Sequence, residues 1–447
     1  MTMKKRALPC LFTLAIGLFL SKMAVAGLPV ERWTLPTGAR VSLVQSPAIP
    51  MVDVRLDFDA GSRRDPAPQA GLAQGVALML AKGVAARGDA PALDENQLGE
   101  AWADLGASLD AQVEPDRLSL TLRSLTEPDL LARAAALAAR QIAEPAFDPA
   151  VWARERARYS ADLREAATRP ATVTDQQFMP AIYGRHPYGQ FPTPETLARI
   201  EAADLRAAHA RGFAPCHARI SIVGALDRPA AERLVQQLLA RLDARSCPSL
   251  PELPAVEPLT AAREIAVPFG SAQAHVRVGQ PGIARSDPDY FPLLVGNYIL
   301  GGGGFVSRLM EEVRQKRGLS YSVYSYFQPL RQSGPFVIGL QTRPDQAAQA
   351  VGVVRQVVAD FVAKGPTAEE LEAAQRALIA GFPLRIDSNR KLLDNIAAMA
   401  WYDLPADYLD TWTERVQAVT LEQIRSAVAR VLKPQAMVTV VVGGTER

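Results

Sequence analysis

Leu300-Gly301-Gly302-Gly303-Gly304-Phe305-Val306-Ser307-Arg308-Leu309, running on through Glu311-Glu312-Val313-Arg314-Gln315-Lys316-Arg317-Gly318-Leu319-Ser320-Tyr321-Ser322-Val323, is the stretch around which the rest of the chain can be ordered. Four successive glycines give a turn without side chains. Val306, Leu309, Met310 and Val313 then fall at i, i+3, i+4 and i+7, which predicts a helix that buries this stripe and presents Arg308, Glu311 and Arg314 elsewhere. Arg317 falls at the end of that helix, with Gly318 placed for its C-cap. Tyr321 follows as the chain enters a strand. The glycine run lacks the Gly-Lys-Ser/Thr continuation that would cradle phosphate.

Working outward, the elements that flank this stretch occur twice. Val52, Val54, Leu56 and Phe58 alternate as one face of a strand, and Ala274, Val276 and Val278 do the same later. Each strand leads into a short loop ending in Asp-Pro, Arg63-Arg64-Asp65-Pro66 and Arg285-Ser286-Asp287-Pro288. Helices, further strands and long alanine-rich helices follow in the same order. The helix Ala368 to Ala380 is opened by the capping box Thr367-x-x-Glu370. Both halves close on a β-rich run, Arg219 to Val223 and Met437 to Val442. The stretch 247–262 holds four prolines and reads as a stiff linker. The expected architecture is α+β: two tandem homologous sandwich domains, 27–246 and 263–447, each with helices over one sheet face.

The chain has 447 residues and a formal charge of +2. Lys4, Lys5 and Arg6, the apolar run Leu11 to Leu20 and Ala24-Val25-Ala26 predict a cleaved export signal over 1–26. Removing it takes Lys4, Lys5, Arg6 and Lys22, and the charge becomes −2. That balance argues against electrostatic nucleic-acid binding. Two cysteines then remain, Cys216 before one strand-like run and Cys247 after the helix that returns from it. A disulfide and a pair of free buried thiols are both open. The four histidines, His186, His209, His217 and His275, offer no pair at metal-ligand spacing on one helix face. There is no Gly-x-Ser-x-Gly elbow and no dinucleotide fingerprint.

The opening stretch resembles the glycine-rich turn, helix and Arg-Gly-Leu-x-Tyr segment of the C-terminal domain of the pitrilysin/insulinase (M16) zinc peptidases. Tyr183-Gly184-x-His186-Pro187-Tyr188-Gly189 resembles a loop of their N-terminal domain, and the likeness spans the mature chain. It implies a two-domain fold forming half of a clamshell. Active members carry His-x-x-Glu-His: two imidazoles one turn apart bind zinc, and the glutamate takes a proton from the bound water. The aligned positions here are Gln74, Ala77 and Leu78. Aligning Glu155-x6-Asp162 with the family's Glu-x6-Glu puts Asp162 at the remaining ligand position. No zinc is expected in this chain.

The resemblance assigns Arg317 and Tyr321 to substrate backbone and oxyanion, roles that suit a guanidinium fork and a phenol donor. The alternative is that Arg317 complements the helix dipole and Tyr321 packs on the sheet. Gly302 and Gly303 of the turn, and Gly106, Ala107, Ser108, Leu109, Asp110 and Ala111, match substrate-binding positions; 106–111 resembles an edge strand on which peptide is laid as an added strand. Asp110 stands where the family has Asn. The expected function is a zinc-free subunit of a periplasmic heterodimeric metallopeptidase, its homologous partner bringing the zinc and His-x-x-Glu-His. A non-enzymatic peptide-binding or assembly protein of the same fold is the alternative.

Overall fold

A computed structural model describes residues 29–244, 247 and 249–444. The expected signal at 1–26 lies outside them. Among the described residues no helix is long and apolar enough to cross a membrane.

The first half is built on strands β1 (Glu31–Thr34), β2 (Arg40–Gln45), β3 (Met51–Phe58), β4 (Ser108–Val113), β5 (Leu118–Leu125) and β6 (Arg219–Gly224). Their order is β1-β2-β6-β3-β5-β4, with β2 and β6 parallel and the other pairs antiparallel. The second half uses β7 (Arg263–Val267), β8 (Ala274–Pro281), β9 (Val323–Phe327), β10 (Pro335–Thr342) and β11 (Val438–Val442) in the order β9-β10-β8-β11-β7, with β7 and β11 parallel. Apart from β1, one sheet repeats the connectivity of the other. The duplicated α+β architecture is therefore present in the pairing itself.

The alternation fixes which way each strand faces. Val52, Val54, Leu56 and Phe58 are fully buried under α1 (Leu72–Leu80), α3 (Pro128–Ala143) and α7 (Arg228–Leu239), with α2 (Glu95–Asp104), α4 (Pro149–Ala166) and α6 (Ala202–Gly212) completing the layer. In the second half Val276 and Val278 meet α8 (Tyr290–Asn297), α9 (Ala347–Lys364) and α12 (Leu421–Val431). Helix α10 (Ala368–Gly381) begins at the expected Thr367/Glu370 capping box.

The other sheet face departs from expectation, because each half lends the other a helix. Helix α5 (Pro170–Tyr183) lies on β8 and β11 of the second sheet, with Phe178 and Ile182 against Val438, Val440 and Val442. Helix α11 (Asn389–Trp401) lies on β3 and β6 of the first. Gly279 is what permits the first exchange: a Cβ there would sit 2.0 Å from the Phe336 carbonyl oxygen and 3.0 Å from the Phe178 ring. Asp53, Arg55 and Asp57 alternate with the apolar residues of β3 and would read as a solvent face, yet all three are buried. Asp57 accepts from Arg55 Nε at 3.0 Å and from Ser119 Oγ at 2.5 Å, while Arg55 Nη1 reaches Asp394 of α11 at 3.1 Å. Buried charges persist when paired in this way.

Candidate functional site

Helix α1 occupies the position of the missing metal motif. Asp65 organises its start: the carboxylate accepts from the backbone N–H of Gly71 and of Ala73, each at 2.9 Å. Burial pushes the Asp65 carboxyl up to about 7 even though those backbone donors favour its charged form. Gln74 is exposed, Leu78 half-buried and Ala77 buried, and the helix packs beside edge strand β4. A carboxamide, a methyl group and an isobutyl group offer zinc no imidazole and no proton acceptor. This donor set does not fit the metal.

The carboxylate that α4 holds near α1 is Glu155, which corrects the assignment of Asp162. Tyr159 already lies beside Gly71, the residue before α1, and Trp152 lies against Gly75 within it. Asp162 is a turn beyond the helix start, exposed, with no ion pair or hydrogen bond among the described residues. Glu155 is buried, 3.6 Å from Lys82 and 2.7 Å from Arg154. Lys82 and Arg154 also pair with Glu95 of α2. Six-residue spacing occurs twice in the sequence here, as Asp148-x6-Glu155 and Glu155-x6-Asp162. Asp148 is the N-cap of α4, accepting from Ala150 and Val151. Spacing alone could not choose between the two registers; packing does.

Strand β4 is an edge of its sheet and its Asp110, Ala111 and Gln112 are exposed. Gly106 precedes it with φ +56°, a conformation that favours glycine. Asp110 receives a 3.3 Å hydrogen bond from Ser108. The structure thus brings the degenerate helix face and 106–111 together.

The second-half residues lie apart from these. The glycine-rich segment is less regular than one helix: a π-helical turn at Tyr298–Gly302, a 3₁₀ turn at Gly304–Val306, and a π-helix at Met310–Gln315. Gly301 explains the tight approach, since a Cβ there would lie 2.6 Å from the Ser325 backbone nitrogen. Gly302 is exposed and Gly303 half-buried. Leu309, Met310 and Val313 are buried as expected, but Val306 is 78% exposed because the helix begins after it. Gly318, at φ +61°, caps the end by donating its N–H to Arg314 O at 2.9 Å.

Arg317 is exposed and donates to the Glu312 carboxylate at 2.6 Å and to its carbonyl at 2.8 Å. Hydrogen bonds from Lys316 and then Arg317 hold the Glu312 carboxyl below its ordinary range. Tyr321 is 86% exposed, so it does not pack on the sheet. The guanidinium over its ring belongs to Arg314, at 5.0 Å, which also lies 4.6 Å from Phe305. Arg314 was read from the sequence only as an outward face of the helix; its spacing of seven from Tyr321 was the available signal.

The Tyr183-to-Gly189 loop serves cohesion between halves. Tyr188 donates to Asp116 at 2.5 Å, Asp116 accepts from the Arg331 N–H at 2.7 Å, and Tyr183 donates to Ser333 O at 3.1 Å. His186 accepts from the Tyr188 N–H, and buried His209 contacts Ile142 O at 2.7 Å. Cys216 and Cys247 form a disulfide with Cα atoms 5.9 Å apart. Among the described residues they and His217 are the group whose ligand atoms cluster within 4.8 Å, and the bridge occupies both sulfurs.

The sequence profile described as Insulinase (Peptidase family M16) matches residues 40–191, and that described as Peptidase M16 inactive domain matches 199–378. A crystal structure of a peptidase M16 inactive domain from Pseudomonas fluorescens superposes with a TM-score of 0.87 at 35% identity, covering 94% of this chain and 98% of that one. The chain belongs to peptidase family M16. A non-peptidase homologue from Helicobacter pylori is 26% identical over 427 residues, covering 93% of each chain. An uncharacterised zinc protease of Streptomyces coelicolor is 26% identical over 283 residues, a match that spans 61% of this chain and 60% of that protein. Within family M16, then, this chain keeps the fold, while positions 74, 77 and 78 of the first half carry no imidazole and no carboxylate.

Proposed function

We propose that this chain is the zinc-free subunit of an exported, periplasmic two-chain metallopeptidase that degrades peptides. A homologous M16 partner supplies His-x-x-Glu-His and zinc; this chain supplies Arg317, Tyr321 and half of the chamber. The observation that carries the reading is the asymmetry between its halves. Gln74, Ala77 and Leu78 supply no imidazole and no carboxylate, whereas Tyr321 is 86% exposed and Arg317 lies at the surface, held by Glu312.

Each residue has a chemical task in that complex. Substrate lies along exposed β4, where backbone N–H and C=O groups extend the sheet whatever the side chains are. Arg317 leaves Glu312 for the substrate backbone, and the Tyr321 phenol donates to the oxygen that becomes negative as water attacks. The export signal expected at 1–26 would bring this chain to the periplasm, where its partner must also be exported for the two to meet.

The test is reconstitution. Purified alone with zinc, this chain leaves a fluorogenic peptide intact; with the homologous zinc-bearing chain it forms a complex that cleaves. Arg317→Ala and Tyr321→Phe each lower the reconstituted kcat by about 10²–10³-fold, the scale of removing one oxyanion donor. Their thermal stability stays within about 0.5 kcal/mol, since both are exposed. Full activity in both variants removes these residues from the mechanism. A stable complex without hydrolysis supports the peptide-binding alternative instead.

A further inference from the structure

A pocket of about 200 Å³ opens at the seam between the halves. Its wall is Arg40 at the start of β2, Arg219 at the start of β6, Arg331 of the β9–β10 loop and Trp401 at the end of α11, with Asp59 and His217 beside them. That volume falls below the usual range for organic ligands and suits a small ion with some water. The polar groups can be reached from solvent: Arg40 and Arg331 are exposed, and Arg219 is half-buried. Trp401 is a fixed floor, with the Arg331 and Arg219 guanidinium groups 4.9 and 6.0 Å from its ring centre. Arg331 also donates from Nη2 to Trp401 O at 3.0 Å, and Arg219 from Nη1 to Ala400 O at 2.6 Å. Both forks are therefore held in place before any ligand arrives.

The charges in this wall do not balance. Asp403 is shared by Arg40 at 2.9 Å and Arg219 at 2.5 Å, and Asp59 by Arg63 at 3.0 Å and Arg64 at 2.8 Å. Arg331 has no carboxylate within ion-pair distance among the described residues, and its Nε and Nη1 have no hydrogen-bond partner there. Partial burial, then the Arg219 guanidinium, hold Arg331 below the ordinary arginine value, as expected of a cation short of anions. Three guanidinium groups with one carboxylate, Asp403, between them leave two positive charges uncompensated. Guanidinium forks match the paired oxygens of phosphate and carboxylate. We propose that this pocket binds a small oxygen-rich dianion, a phosphate or a dicarboxylate, across the seam, with Arg40 of the first half and Arg331 of the second as donors. Asp59 stands in the wall, but Arg63 and Arg64 already neutralise its carboxylate. The site does not depend on the two-chain reading.

The probes are inorganic phosphate and succinate, each titrated calorimetrically into the full chain at constant ionic strength, with chloride as the control. Phosphate is expected to bind and chloride to give no saturable heat; tighter binding of succinate would support the site and name a dicarboxylate as its occupant. Arg331→Gln and Arg40→Gln each weaken the bound dianion by about tenfold, the scale of one charge-assisted hydrogen bond. Arg343→Gln, whose exposed side chain pairs with Asp345 beyond the far end of β10, leaves the affinity unchanged. Because the ion braces both halves, it raises the thermal midpoint of the wild type and not that of Arg40→Gln. Should Arg331→Gln not fold, exposed Arg40→Gln decides alone. No binding of either dianion, an equal response to chloride, or undiminished affinity in a folded variant of Arg40 or Arg331 each overturns the proposal.

Discussion

Helix α1 and its edge strand β4 in the first half stand opposite, in the duplication, to the glycine-rich segment and edge strand β9 in the second. The two sheets share one connectivity, and the two regions have diverged in opposite ways. Around α1 the scaffold is intact: Asp65 caps the helix, Glu155 is buried against Lys82, and only the outward chemistry is gone. Around 298–321 the backbone is irregular, with two π-helical turns, yet Arg314, Arg317 and Tyr321 remain arrayed at the surface. Fold and chemistry are therefore separable here. Burial of the sheet faces maintains the first, and under the proposed function a few exposed side chains, Arg317 and Tyr321 among them, carry the second.

The largest effect should come from putting the chemistry back. Gln74→His, Ala77→Glu and Leu78→His together place two imidazoles one turn apart on α1, and Glu155 is the carboxylate at hand to complete three ligands. After dialysis against buffered zinc, metal analysis should find about one ion per chain. Adding Glu155→Gln should remove it, while Asp162→Asn should not. The reverse ranking would restore Asp162 to the ligand register, and no uptake at all would mean that the scaffold has drifted as well.

The next effect concerns what joins the halves. Asp57→Ala leaves Arg55 and Arg117 without their shared buried partner, at a cost of about 3–5 kcal/mol in denaturant unfolding. A loss below about 1 kcal/mol would show that water reaches the pair and that α11 covers the sheet only loosely.

That network marks where the sequence stopped being legible. The apolar alternation of β3 and β8, the Thr367 capping box, the Gly318 cap and the edge strand 108–113 follow local rules, and the structure contains each of them. Asp53, Arg55 and Asp57 follow the same alternation and yet are buried, because the helix that covers them lies more than 330 residues away, as the Arg55–Asp394 separation of 339 shows. No periodicity encodes an exchange of helices between halves. Glu155 and Asp162 share one helix and one spacing, so only the crossing of α4 over α1 decides between them. Val306 failed for a smaller reason: four glycines delayed the helix start past it.

The smallest effect tests the cap that keeps α1 in place after its chemistry was lost. Asp65 has a folded-state pKa raised from 3.8 to about 7 by burial. Between those values the folded chain binds more protons than the unfolded one, so this group's contribution is complete below about pH 4 and fades as pH rises through 7. Buried His186 and His209 and half-buried His275 have depressed values, and their contribution runs the other way, growing as pH rises toward their unfolded range. The net slope of the wild type mixes both signs. Asp65→Asn isolates one: it keeps an oxygen for one of the two backbone N–H groups and cannot ionise. The wild-type-minus-variant difference in unfolding free energy should therefore fall across about pH 4 to 7 and level off above it, by at most about 4 kcal/mol, the full value of a shift of about three units. Since the variant also weakens a helix cap, by about 1 kcal/mol, the difference should be offset at every pH, and the slope is the diagnostic part. A flat difference would mean that the N–H groups of Gly71 and Ala73 outweigh burial, leaving Asp65 charged throughout and α1 capped by an ordinary carboxylate.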